Sequence, residues 1–164
     1  MLPKRRKIIA ACIITLALLT TWIMTPVAPS LRDATQMHRK GDNGSAAAIL
    51  REILRTDPAN AEALLLLGEC LKLAGNMDAA ADAFGDLLRL DPSNMKARFQ
   101  HAACLLQSAR LSEAEAAYRG ILEIDRNNRQ ARTEVQWILF NQMRERELES
   151  FLESFLVGSQ PDYE

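Results

Sequence analysis

LRTDPANAEA at 54–63, LRLDPSNMKA at 88–97 and LEIDRNNRQA at 122–131 are one string read three times, each 34 residues after the last. In every copy an apolar helical run ends at Leu or Ile. An Asp followed by Pro or a polar residue stops it, and Asn60, Asn94 or Asn128 stands where the next helix needs a side-chain cap. A fixed period of this length marks a stack of supersecondary units and decides the fold before any single element is assigned.

Working outward from the string, Leu64, Leu67, Leu71 and Ala74 share one face of a helix that starts at Ala61, and Gly75-Asn76 breaks it. Ala80, Phe84, Leu87 and Leu88 then share a face of a second helix over about 77–90. Two antiparallel helices expose apolar surface on both sides, so one pair cannot bury its core and must stack on its neighbours. The composition agrees: 48% hydrophobic but only 5% aromatic, with Ala, Leu, Glu and Arg as the common residues, predicts an all-α fold.

The unit resembles the tetratricopeptide repeat (TPR). In 61–94, Leu64, Leu67, Gly68, Leu71, Ala80, Phe84, Leu87 and Pro92 occupy the eight slots of that family's pattern. Unit 95–128 supplies Ala102, Leu105, Ala114, Tyr118 and Ile121 but departs at Arg98, His101 and Arg126. The first unit keeps Ala34, Met37, Ala46, Leu50, Ile53 and Pro58. The resemblance implies that Gly68, Ala34 and Ala102 face Ala80, Ala46 and Ala114 where paired helices cross closest. The organisation expected is therefore a TPR-type helix-turn-helix solenoid with units at 29–60, 61–94 and 95–128. A degenerate repeat or capping pair follows at 129–157, and a disordered acidic tail at 158–164. In the last pair Leu148 stands where the other units have Ala, which predicts looser packing, and Arg144, Glu145, Arg146, Glu147, Glu149 and Glu153 are expected to solvate its outer face.

Ahead of the repeats, Lys4, Arg5, Arg6 and Lys7 form a basic N-terminus over 1–7, followed by IIAACIITLALLTTWIM at 8–24 and an uncharged continuation to Ser30. A run of this length is enough for a helix to cross most of a bilayer, with Trp22 near its far end. Residues 8–28 are thus expected to be a transmembrane signal-anchor. The basic flank holds the N-terminus in the cytoplasm and the repeats on the periplasmic side of a bacterial inner membrane. Cleavage near Ala28 or Ser30, giving a soluble periplasmic or secreted module, is the alternative.

All 21 acids but only sixteen of the 20 bases follow Ser30, a net charge of -5 for the body, which lacks the basic footprint of a nucleic-acid binder. Cys12, Cys70 and Cys104 form no metal or redox spacing, and the last two fall at equivalent sites one unit apart, expected as small buried core residues. No phosphate loop, HExxH or nucleophile elbow occurs. His101 is expected in the core and His38 in solvent, while Asp78 to Asp82 and Glu113 to Glu115 read as exposed helix faces. The expectation is a non-enzyme without cofactor, metal or catalytic residues. A non-catalytic targeting subunit of an enzyme complex is a further alternative.

By the same resemblance, the first helices of successive units line a concave groove for a partner protein or peptide. It would present Leu65, Glu69, Lys72 and Leu73, then Phe99, Ala103, Leu106 and Gln107, then Thr133, Trp137, Phe140 and Asn141. Phe99, Trp137 and Phe140 are the candidate aromatic anchors, unless Trp137 and Phe140 instead seal the C-terminal pair. Chaperone-binding relatives clamp a terminal carboxylate with an Asn in the slot held here by Thr35, Glu69 and Ala103, so carboxylate-clamp binding is not expected.

Overall fold

The computed structural model describes residues 30–156, and the basic N-terminus, the apolar segment at 8–28 and the tail at 158–164 lie outside the described residues. Within them the chain is all-α: α1 Leu31–Arg39, α2 Asn43–Thr56, α3 Ala61–Leu73, α4 Met77–Leu90, α5 Met95–Gln107, α6 Leu111–Ile124, α7 Arg129–Asn141 and α8 Glu145–Leu156. Each helix packs on the one before it, so the eight form four stacked hairpins. Among the described residues no helix is long and apolar enough to cross a membrane.

The repeated string works as its chemistry requires. Asn60, Asn94 and Asn128 accept hydrogen bonds from the amides of Ala63, Ala97 and Ala131 at 3.0, 3.0 and 3.1 Å, satisfying donors that the first turns of α3, α5 and α7 leave open. The short α1 is started by a capping box, in which Ser30 Oγ accepts from the Asp33 amide and the Asp33 carboxylate accepts from the Ser30 amide.

All four hairpin turns share one geometry. The amides of Asp42, Asn76, Arg110 and Arg144 donate to the carbonyls of Met37, Leu71, Leu105 and Leu139 at 2.9–3.0 Å, and the residue before each donor is left-handed. That residue is Gly41 (φ 82°), Gly75 (φ 81°), Ala109 (φ 60°) and Met143 (φ 53°), again at steps of 34. The last turn forms without the glycine that the sequence pattern looks for.

A continuous core runs from Ala34 to Phe151. Ala34, Ala46, Ala80, Ala102 and Ala114 are fully buried, as the small slots require. The crossing of α3 and α4 is nevertheless set by a partner other than Ala80. A methyl on Gly68 would lie 2.6 Å from the Phe84 ring, so Gly68 is the space that ring occupies. Cys70 and Cys104 are free and buried.

Three expectations need correction. His38 is half-buried rather than solvated, because α3 stacks on it. Glu115 is 7% exposed and is not part of an open face. Its carboxylate accepts from Arg119 Nε at 2.7 Å and from Arg144 at 2.5 Å, so Arg144 ties α8 to α6 instead of solvating an outer face. Burial of that carboxylate is tolerable because both oxygens are paired. Arg126, which stands in the proline slot, donates to the Ser154 carbonyl at 2.5 Å and lies 5.7 Å from the centre of the Phe155 ring, a second tie to α8.

Candidate functional site

The first helices of the units, α1, α3, α5 and α7, carry the candidate groove residues at matching turns. Leu65, Phe99 and Leu106 are half-buried and pack on the core, so they form the floor. Two polar contacts cross from α3 to α5. Lys96 Nζ donates to Glu69 at 2.8 Å, and Lys72 Nζ donates to Gln100 Oε1 at 2.5 Å. Lys96 and Gln100 were not among the residues singled out from the sequence. Their role depends on stacking, and nothing local announces it.

The consequence is electrostatic. The groove cations Lys72 and Lys96 are engaged by neighbours, and Glu69, in the slot where relatives hold a clamp Asn, is one of those neighbours. Thr35 Oγ1 donates to the Leu31 carbonyl of its own helix at 2.8 Å, and Thr133 Oγ1 does the same to Arg129 at 2.9 Å. A cleft of about 520 Å³ lined by Leu31, Thr35, Arg39 and Glu62 among others continues the first-helix face at the N-terminal end.

On α7 the picture is apolar and open. Trp137 is 48% and Phe140 72% exposed, with Asn141 exposed beside them. They do not seal the C-terminal pair. Phe151 and Phe155 do that instead, meeting edge to face with centroids 5.1 Å apart. Leu73 and Gln107 end their helices exposed.

Two other clusters of titratable groups are structural in character. His38 Nδ1 lies 2.9 Å from Asn43 Oδ1 and 3.4 Å from Cys70 Sγ. The amide oxygen can only accept, so the ring nitrogen donates to it and is not free to take a proton from the thiol. Burial, with a smaller contribution from Glu69, raises the Cys70 pKa, which keeps the sulfur protonated and unreactive. His101 lines a cleft of about 380 Å³ with Leu88, Arg98, Leu105 and Glu113, and burial first and Arg110 second lower its pKa. Tyr118 is pushed up to about 12 by burial. Among the described residues no three His, Cys, Asp or Glu side chains converge as metal ligands would.

Several solved structures share this architecture. The second TPR domain of human RPAP3, solved with the HSP70 peptide SGPTIEEVD, superposes with TM-score 0.57 at 22% identity over 68% of this chain and 93% of that one. The Yersinia enterocolitica type III secretion chaperone SycD, solved with a peptide of the translocator YopD, gives 0.53 at 22% over 79% and 92%. MamA from Desulfovibrio magneticus RS-1 gives 0.62 at 18% over 75% and 70%. No curated protein matches the sequence. Two family models described as tetratricopeptide repeat match residues 39–94 and 73–134, together more than half of the chain. Over that span the chain belongs to the tetratricopeptide repeat family.

Proposed function

We propose that the chain is a membrane-tethered scaffold that binds a partner protein or peptide along its first-helix face and acts as an adaptor or assembly factor. The observation that carries this reading is the exposure of Trp137 and Phe140, 48% and 72%, on the helix that continues the groove floor of Leu65, Phe99 and Leu106. Large aromatic side chains left in water at one end of a concave face supply the anchors that dominate peptide recognition. The RPAP3 and SycD structures hold peptides on the same fold, which supports the reading by analogy.

Residues 8–28 are the tether, with residues 1–7 in the cytoplasm and the repeats in the periplasm of a bacterial cell. The support is the basic cluster before the uncharged run. N-terminal sequencing of the mature protein tests it: a start near Leu31 would exclude the anchor.

The groove does not clamp a terminal carboxylate, since the slot for the clamping amide holds Thr35, Glu69 and Ala103, while Lys96 is paired with Glu69 and Lys72 donates to Gln100. The peptide SGPTIEEVD and its C-terminal amide should therefore bind equally weakly, and a strong preference for the free acid would reject that part of the proposal.

The groove itself is tested by a photo-crosslinking amino acid placed in turn at 99, 103 and 140, and at the partly exposed second-helix position 86, in intact membranes. Capture of one partner from the first-helix sites but not from 86 is expected. Equal capture from all four, or none, would reject the groove.

A further inference from the structure

Five of the eight large hydrophobic side chains left exposed among the described residues belong to the last hairpin: Trp137 at 48%, Phe140 at 72%, Met143 at 86%, Leu152 at 39% and Leu156 at 67%. The repeat register explains why. One unit earlier, the slots of Leu152 and Leu156 hold Tyr118 and Leu122, which are 2% and 8% exposed. The slot of Phe140 holds His38, Lys72 and Leu106 in the preceding units, and all three are half-buried. Each of those earlier sites is followed by another first helix, whereas α7 and α8 are followed by none among the described residues. The last described hairpin thus leaves large apolar side chains in water beside its exposed charged residues Glu145, Arg146, Glu147, Glu149 and Glu153.

We infer that the α7–α8 face receives one amphipathic helix from a partner protein, seated where the first helix of a fifth unit would stack. This rests on the proposed binding function and names the partner's chemistry at one end of the same groove. The interface is a continuation of the one between α3 and α5. There Glu69 and Lys72, three residues apart, meet Lys96 and Gln100, four residues apart. Trp137 and Phe140 occupy the slots of Glu69 and Lys72, so the arriving helix presents two apolar side chains four residues apart.

The test uses the full-length protein in nanodiscs and a labelled synthetic peptide of residues 94–110 carrying Lys96→Leu and Gln100→Leu, read by fluorescence anisotropy. It should bind at least roughly tenfold more tightly than the unmodified peptide and than a control with its two leucines at the Arg98 and Gln107 positions. Phe140→Asp and Leu156→Asp, both at exposed sites, should each weaken it by roughly tenfold or more, and Asp86→Ala should not. Equal binding of the three peptides, or indifference to Phe140→Asp, overturns the inference. So does a concentration-dependent dimer abolished by Phe140→Asp, which would make a second copy the occupant. Loss of peptide binding with crosslinking from 99 and 103 preserved would remove this inference alone, whereas loss of both would remove the groove.

Discussion

The Cβ that Gly68 lacks would sit 2.6 Å from the ring of Phe84, a side chain that is itself fully buried. The close crossing of α3 and α4 is therefore a fit between one absent methyl and one ring. Gly68→Ala gains about 1 kcal/mol of helix propensity. It also overpacks a closed core, which costs about 1–3 kcal/mol. The expected net effect is a lower midpoint in chemical denaturation, and Phe84→Leu added to Gly68→Ala should recover part of it. The first unit already holds the corresponding pair, Ala34 and Leu50. An unchanged or raised midpoint for Gly68→Ala would show that the ring yields.

Much of this was legible in the sequence because it is local. The 34-residue string gives the ends of the second helices and the caps of the first, and the small slots give which positions are buried, since each depends on a few residues near in sequence. What could not be read are contacts between units that carry different residues. Arg110 and Arg144 occupy the same slot and each pairs with the glutamate three residues on, Glu113 or Glu147, yet Arg110 also turns to Asp82 while Arg144 turns to Glu115. Glu115 looks like any surface glutamate until α8 is laid over it. His38 looks solvated until α3 brings Cys70 to it. In the candidate groove, aromatic residues can be named from the family resemblance, but the contacts of Lys72 with Gln100 and of Lys96 with Glu69 appear only once the helices are stacked.

The left-handed turn positions give a second prediction. Ala109 and Met143 hold φ of 60° and 53° where the first two units have glycine, and both side chains are exposed. An L-residue in this conformation costs roughly 1–2 kcal/mol. Glycine removes that strain, at some expense in unfolded-chain entropy. Ala109→Gly and Met143→Gly should each raise stability by about 0.5–1 kcal/mol in urea melts. A loss of stability in either would mean that its side chain is held by a contact.

His101 predicts a pH dependence. Its folded pKa lies below the ordinary value of 6.5, chiefly through burial, so below that pH the unfolded chain takes up a proton more readily than the folded one. The histidine's contribution to stability is then complete above about pH 6.5 and is lost as the pH falls from there toward the folded pKa. His101→Gln should flatten that part of the thermal stability profile. The acid branch belonging to Asp33, Asp42 and Asp91, whose pKa values are lowered by hydrogen bonds, should remain at lower pH. An identical slope in the variant would assign the pH dependence elsewhere.

Arg144 governs the last helix. Phe151 is the only buried residue of α8, and Arg144 joins that helix's start to buried Glu115. Arg144→Ala should accelerate amide exchange in α8, and to a lesser degree in α7, while leaving α3 and α4 unchanged. Uniform acceleration across all helices would instead show that the four hairpins open as one unit.

Partner binding along the first-helix face, ending at Trp137 and Phe140, is the core of the proposed function. It is tested most directly by photo-crosslinking from position 140 and from position 86 in intact membranes, comparing the chain with its Trp137→Ala variant. A single crosslinked partner is expected from 140, absent from 86 and reduced several-fold by Trp137→Ala, in keeping with the loss of an aromatic anchor. The same partner captured equally from both positions, with no effect of Trp137→Ala, would contradict it.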